Sequence, residues 1–165
     1  MALPSNDPWR ESCRRHVEAT PTRVAVVGVG HELRGDDAAG PAVARRVLGS
    51  AGERLLVVDG GPAPENVTGV LRRFQPDLVL LVDAADLGAE PGTVRWLTPD
   101  VIEGLSATTH TMPLSMLARY LQHELDCGIY LVGIQPAQND IGQPLSDPVE
   151  KAVGAVSAGL QAVFA

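Results

Sequence analysis

Three side chains capable of acid–base or metal chemistry stand where strands of a folded α/β chain would end. Asp37 follows the segment "VAVVGV", Asp83 closes the apolar run "DLVLLVDA", and His110 stands in "TTHTMPL". In open α/β sheets, functional sites form from the loops that leave the carboxyl ends of the strands. Two carboxylates and one imidazole suit a borderline divalent ion such as Ni²⁺, Zn²⁺ or Cd²⁺. With three protein ligands, coordination positions stay open for water or a substrate group.

Each of these residues also has a structural interpretation. Asp37 could cap the helix that follows it, which is a preferred role of aspartate before an apolar periodic run. Asp83 must be solvated, hydrogen-bonded or bound to a cation, because a buried carboxylate is otherwise costly. His110 alone could be a hydrogen-bonded structural imidazole.

The remaining carboxylates and histidines are assigned supporting roles. Glu65 is expected to support a helix N-terminus. Three further aspartates are interpreted first as capping or supporting residues of the site: Asp36, Asp59 and Asp86. Three further histidines are expected at the surface: His16, His31 and His123.

The elements that would position the site alternate between strand and helix. Short β-branched or apolar runs predict strands at 23–29, 54–59, 77–84, 91–97 and 128–134, with 91–97 at an edge. Helical spacing predicts helices near 40–49, 64–74, 113–124 and 147–164. This order implies right-handed crossovers. We predict a three-layer α/β/α fold, phosphorylase/hydrolase-like, with a mostly parallel, twisted central sheet of about five strands.

Length and composition fit one domain and limit the possible partners. The chain has 165 residues, a net charge of −7 and a pI near 5.0, which argues against nucleic acid as a partner. No apolar run is long enough to span a membrane, and the N-terminus lacks the apolar segment of a secretory signal. The two cysteines, Cys13 and Cys127, form neither a metal motif nor a disulfide framework, so a cytoplasmic location is expected. Residues 1–22 are interpreted as an N-terminal extension of a domain at 23–165.

Other chemistries find less support in the sequence. "GVGHELRG" resembles a dinucleotide fingerprint, but Leu33 replaces its third glycine and two aspartates follow. A small nucleotide-binding domain therefore remains only an alternative. Neither the nucleophile elbow of α/β-hydrolases nor the "HExxH" pattern of zinc peptidases occurs.

Five blocks of the chain resemble one known family in order and spacing. They are "VGVGHELRGDDAAGP", "VDGGPAPEN", "LVDAADLGAEPG", "TTHTMPLSML" and "LVGIQP". Together they resemble the [NiFe]-hydrogenase maturation endopeptidases, most closely the branch that processes the large subunit of hydrogenase 3 in the formate hydrogenlyase system. The similarity runs from about residue 23 to about residue 160.

The resemblance implies an activity and a site. Members remove a short C-terminal extension from the large-subunit precursor after nickel insertion, so the chain is expected to be a hydrolase of the aspartic-type endopeptidase class and a hydrogenase activator. The family's metal-contacting positions correspond to Asp37, Asp83 and His110, and the nickel is expected to be that of the precursor. A cytoplasmic monomer is implied. His31 stands where the family usually has asparagine. A non-enzymatic nickel-binding or sensing module is the alternative.

Overall fold

A five-stranded sheet forms the centre of the structure, a computed structural model that describes residues 8–19, 23–102 and 114–165. Its strands are β1 (Val24–Val29), β2 (Leu55–Gly61), β3 (Leu78–Ala84), β4 (Val94–Leu97) and β5 (Gly128–Ile134). They lie in the order β2-β1-β3-β5-β4; β4 pairs antiparallel with β5, and the other pairs are parallel. The predicted sheet is confirmed, including the position of β4 at an edge.

Six helices cover the two faces of this sheet within the described ranges. They are α1 (Pro8–Ala19), α2 (Ala39–Val47), α3 (Thr68–Phe74), α4 (Pro99–Ile102), α5 (Leu114–Leu125) and α6 (Asp147–Val163). The buried residues of α1, α2 and α6 share one hydrophobic cluster with the sheet, and those of α3, α4 and α5 share the other. The predicted three-layer α/β/α architecture is therefore confirmed.

The two central strands β1 and β3 are apolar throughout because helices cover both of their faces. Val26 and Leu80 belong to one cluster, whereas their neighbours Val27 and Leu81 belong to the other, and all four are fully buried. Alternate side chains of a strand point to opposite faces, so a strand between two helix layers has no solvated side. This burial fixes the register of the strands and with it the edge at which Asp83 emerges.

Part of the predicted N-terminal extension joins the same core. Trp9, Cys13 and Val17, spaced four residues apart in α1, are buried in the cluster with α2 and α6. His16 of the same helix is half-buried, with its ring 5.1 Å from that of Trp96 and 4.5 Å from that of Tyr130. The prediction that His16 lies at the surface is wrong, because the imidazole helps α1 to cover β4 and β5.

Candidate active site at the carboxyl edge of the sheet

Asp37 lies in a 3₁₀ turn, Gly35–Ala38, that connects β1 to α2. The residue is only 7% exposed. Its Oδ2 accepts a hydrogen bond from the backbone N–H of His31 at 2.9 Å. The N-cap residue of α2 is Ala38, and no side chain makes a capping hydrogen bond at this helix start. Asp37 therefore holds the loop after β1 rather than capping α2.

Asp83 lies at the end of β3, where it is fully buried. It pairs with Gly133 of β5, and the residue before it, Val82, pairs with Gly28 of β1. A Cβ on Gly40 would lie 2.3 Å from the carbonyl oxygen of Val82. The start of α2, which follows Asp37, thus packs directly against the end of β3, and the two carboxylates come to one edge of the sheet.

His110 lies outside the described residues. The nearest described positions are Ile102, which ends α4, and Leu114, which begins α5. α5 begins within one residue of its predicted start. The approach of His110 to the two aspartates therefore stays a prediction from the sequence and from the family resemblance.

Asp36 is the buried anchor of the loop that carries Asp37. It is fully buried, and its Oδ1 accepts the N–H of Ser146 at 2.7 Å. Its Oδ2 accepts the N–H groups of Ala137 (2.8 Å) and Gln138 (3.1 Å) and the hydroxyl of Ser146 (2.8 Å). One carboxylate thus ties the β1–α2 loop to the chain between β5 and α6. The sequence interpretation of Asp36 as a supporting residue agrees with this arrangement.

Gln135 is a second buried polar anchor, and the sequence analysis did not single it out. It follows β5 and is 8% exposed. Its Oε1 accepts the N–H of Leu87 at 2.6 Å and that of Ala89 at 3.4 Å. Gln135 therefore fixes the loop that begins just after Asp83. A polar residue immediately after an apolar strand, in "GIQP", was the signal that could have identified it.

The glycines of "GVGHELRG" are explained by close packing of the chain. A Cβ on Gly28 would lie 2.3 Å from the carbonyl oxygen of Gly40, and one on Gly30 would lie 1.8 Å from that of Asp37. Gly30 also has a φ of 142°, which side-chain-bearing residues rarely adopt. These glycines let α2 approach β1, and a bound phosphate is not needed to account for them.

Three other carboxylates close local turns or lie at a helix start. Oδ1 of Asp59 accepts the N–H of Gly61 at 3.0 Å, and Oδ1 of Asp86 accepts that of Gly88 at 3.1 Å. Such bonds are typical of aspartate two residues before a turn amide. Glu65 lies in the first turn of a 3₁₀ segment, Pro64–Val67. Asp59 and Asp86 therefore stabilise local turns and do not cap helices, and Glu65 lies at a helix start as predicted.

His31 and His123 are exposed to different extents. His123, on α5, is exposed as predicted, whereas His31 is half-buried. Nδ1 of His31 accepts the N–H of Leu33 at 3.1 Å, which orients the ring within the loop. His31, expected at the surface, is partly exposed, because its loop folds back on itself.

Both cysteines are free, and burial makes their thiols poor nucleophiles. Burial raises the pKa of Cys13 to about 12. Burial, together with the nearby carboxylates of Asp77 and Asp126, raises the pKa of Cys127 to about 11. Because the thiolate is the reactive form, neither cysteine is suited to nucleophilic catalysis near neutral pH.

The part of the chain that the structure describes contains neither a grouping of metal-ligand side chains nor a helix that could span a membrane. Within those ranges no group of three or more His, Cys, Asp or Glu side chains is placed to hold a metal ion. No helix there is both long and apolar enough to cross a lipid bilayer.

Comparisons with known proteins agree with the fold. A family model described as hydrogenase maturation protease, HycI, matches residues 44–161. The hydrogenase 3 maturation protease of Escherichia coli strain K12 is 39% identical over 129 residues, which covers 78% of this chain and 82% of that protein.

Two solved structures extend this similarity to the fold. The crystal structure of the [NiFe] hydrogenase maturation protease HycI from Thermococcus kodakarensis superposes with a TM-score of 0.82 at 29% identity, covering 90% of this chain and 96% of that chain. The solution structure of the endopeptidase HycI from Escherichia coli gives 0.77 at 34% identity, covering 86% and 90%. As the sequence blocks predicted, the chain belongs to the hydrogenase maturation protease family, in its hydrogenase 3 branch.

Proposed function

We propose that this chain is an endopeptidase that removes the C-terminal extension of a [NiFe]-hydrogenase large-subunit precursor after nickel insertion. Membership of the hydrogenase maturation proteases supports the reaction class. The observation that carries the proposal is the pair of buried aspartates, Asp37 and Asp83, which two packed elements bring to one edge of the sheet. The protein would be an aspartic-type endopeptidase that acts as a monomer in the cytoplasm. Cleavage of the precursor would activate the hydrogenase.

The donor chemistry of the edge fits recognition of a divalent ion presented by the substrate. Carboxylates brought close together repel one another, and a cation between them relieves that repulsion. Asp37 and Asp83 supply oxygen donors, and His110 would supply the nitrogen that borderline ions such as Ni²⁺ accept. Nickel in the precursor is part of the substrate here. A precursor without it would lack this attachment point, which makes cleavage a checkpoint for metal insertion.

The anchors described above give the carboxylates their fixed positions. Asp36 holds the Asp37 loop, Gln135 holds the loop after Asp83, and the His31 N–H orients the Asp37 carboxylate. Carboxylates that are already fixed in the free protein lose little conformational entropy when the substrate binds, so they can position the reacting groups. The edge can therefore hold a scissile peptide bond in one geometry relative to its donors.

Hydrolysis then needs a water molecule to attack the scissile carbonyl carbon. A carboxylate of the trio would accept a proton from that water, and the departing nitrogen would take up a proton as the C–N bond breaks. The products are a new C-terminal carboxylate on the mature subunit and a free amine on the extension. The nickel of the precursor would supply a positive charge that positions and polarises the carbonyl group.

Intact-mass spectrometry of the precursor tests this proposal directly. The wild-type protein should shorten nickel-loaded precursor by the mass of the extension and leave nickel-free precursor unchanged. Asp37→Ala, Asp83→Asn and His110→Ala should each abolish the mass change while the domain stays folded by circular dichroism. Asp86→Asn is the matched control, because Asp86 lies three residues after Asp83 but is exposed.

The possible outcomes separate the competing functions. A module that only binds or senses nickel would bind the ion and leave the precursor mass unaltered. Equal cleavage of nickel-free and nickel-loaded precursor would remove the checkpoint. Full activity of any one of the three site variants would remove that residue from the site.

A further inference from the structure

We propose that a pocket beside Asp37 binds an extended stretch of the substrate polypeptide, without acidic side chains, next to the scissile bond. The pocket has a volume of about 340 Å³ and opens between the β1–α2 loop, the start of α2 and the end of β2. The inference rests on the proposed function, because it takes the substrate to be a protein chain cleaved at this edge.

The pocket shares a wall with the candidate active site. Gly30 and His31 line it, and the His31 N–H donates to Oδ2 of Asp37 at 2.9 Å. The Gly30 N–H donates to the carbonyl oxygen of Gly61 at 2.9 Å, which joins the two loops on either side. A polypeptide segment in the pocket would therefore continue directly past the Asp37 carboxylate.

The lining combines apolar side chains with exposed backbone. Leu33, Pro41 and Pro62 provide apolar surface, and Leu33 is 64% exposed. Gly60 and Gly61 add backbone without a covering side chain. Apolar walls with a few backbone hydrogen-bonding groups are the usual surroundings of a bound extended peptide.

The charges at the rim disfavour an acidic occupant. The carboxylates of Glu32 and Asp59 both line the pocket, and both form ion pairs with the guanidinium of Arg45. Arg45 lies on α2, so this network also bridges the two loops that carry the carboxylates. One cation thus offsets one of the two negative charges, and the remaining negative charge disfavours an acidic side chain in the pocket.

The pocket is already ordered in the free protein. The N–H of Leu33 donates to Nδ1 of His31 at 3.1 Å, and that of Arg34 donates to the carbonyl oxygen of His31 at 3.1 Å. On the opposite wall, the Gly61 N–H donates to Asp59 at 3.0 Å. A preformed site avoids the entropy loss of ordering loops on binding.

Kinetics with charge substitutions provide the first test. Leu33→Glu should raise KM for the nickel-loaded precursor at least tenfold and change kcat less than threefold. Leu48→Glu is the matched control, because Leu48 is 57% exposed but follows the far end of α2; its KM should stay within twofold of wild type. A Leu33→Glu enzyme with the wild-type KM would overturn the proposal even while the wild type cleaves normally.

Photo-cross-linking tests the occupant without relying on cleavage. p-Benzoylphenylalanine would replace Leu33, or Leu48 as the control, and the protein would be irradiated with precursor before peptide mapping. The expected adduct joins position 33 to residues of the precursor that flank the cleavage site. Adducts confined to the body of the precursor, or none, would overturn the proposal. Cross-linking at the flanking residues without any cleavage would refute the proposed function and leave the pocket assignment intact.

Discussion

Removing the Asp36 carboxylate should destabilise the protein and release the loop that carries Asp37. Asp36 accepts four hydrogen bonds, three of them from backbone N–H groups that no longer have this acceptor once the side chain is truncated. A hydrogen bond to a charged acceptor contributes about 1.5–3 kcal/mol, and water entering the loop would compensate part of the loss. For Asp36→Ala we expect a decrease of about 4 kcal/mol in the free energy of unfolding.

Two milder substitutions should give a graded series. In Asp36→Asn the amide oxygen can take the place of Oδ2 and keep three of the bonds, but the amide NH₂ then faces the Ser146 N–H. We expect a loss of about 2 kcal/mol from that donor–donor contact. Ser146→Ala removes only the hydroxyl bond and should decrease the free energy of unfolding by about 1 kcal/mol.

Urea denaturation followed by circular dichroism measures the series, and hydrogen exchange reports on the loop. The control is Asp140→Ala, an exposed aspartate in the segment between β5 and α6 that Asp36 contacts, which should change stability by less than about 0.5 kcal/mol. The amides of Ala137 and Gln138 should exchange faster in Asp36→Ala, where their acceptor is removed, and at an unchanged rate in the control. If Asp36→Ala and Asp140→Ala had equal effects, or if those amides kept their protection, the assignment of Asp36 as an anchor would be wrong.

Three further predictions concern packing and ionisation. Gly40→Ala should cost about 2 kcal/mol or more in unfolding free energy, because its Cβ would lie 2.2 Å from a backbone oxygen; Gly49→Ala, with no atom within 4 Å of its Cβ, should be neutral in the same urea titration. Trp9→Ala should lower the free energy of unfolding by about 3–5 kcal/mol, whereas Arg15→Ala on the exposed face of α1 should not; comparable stabilities would show that α1 is dispensable. Burial of Cys13 disfavours the thiolate and raises the pKa of the thiol to about 12 in the folded protein. The folded state is therefore stabilised relative to the unfolded state by the neutral thiol, fully below about pH 9, and this stabilisation is lost as pH rises towards 12. Between pH 9.5 and 11 the wild type should therefore lose about 1.4 kcal/mol per pH unit more than Cys13→Ala, and parallel slopes would contradict the shift.

The strands were predictable because burial on both faces leaves a strong pattern in the sequence. The run 128–134 was predicted with the bounds that β5 has, since an apolar stretch between Asp126 and Pro136 has few other ways to fold. The run 77–84 likewise predicted β3 and the placement of Asp83 at its end. The carboxyl ends of parallel strands meet at one edge of a sheet. The order of the elements alone therefore predicted that Asp37 and Asp83 lie at the same edge.

The contribution of α1 was not predictable in the same way. Its sequence, "PWRESCRRHVEA", is mostly polar, and only Trp9, Cys13 and Val17 are buried. A narrow apolar stripe of one residue per turn gives a weak periodic signal beside charged neighbours. The burial of this stripe can be recognised only when the surface it packs against is known. Here the Trp9 ring packs against α6 and the His16 ring against β4.

The different roles of Asp36 and Asp37 follow from the turn that contains them. From the sequence, both adjacent aspartates before the helix were candidates for capping, and the strand-end argument together with the family resemblance selected Asp37 as the site residue. Because a 3₁₀ turn has three residues per turn, consecutive side chains project about 120° apart. Asp36 therefore reaches the loop before α6, whereas Asp37 accepts the N–H of His31 at the edge where Asp83 emerges. In an α-helix begun one residue earlier, the same two carboxylates would diverge by about 100° with a shorter rise per residue, and one of them would lose its set of amide donors. The short turn is thus what allows one aspartate to fix the loop while its neighbour stays at the edge of the sheet.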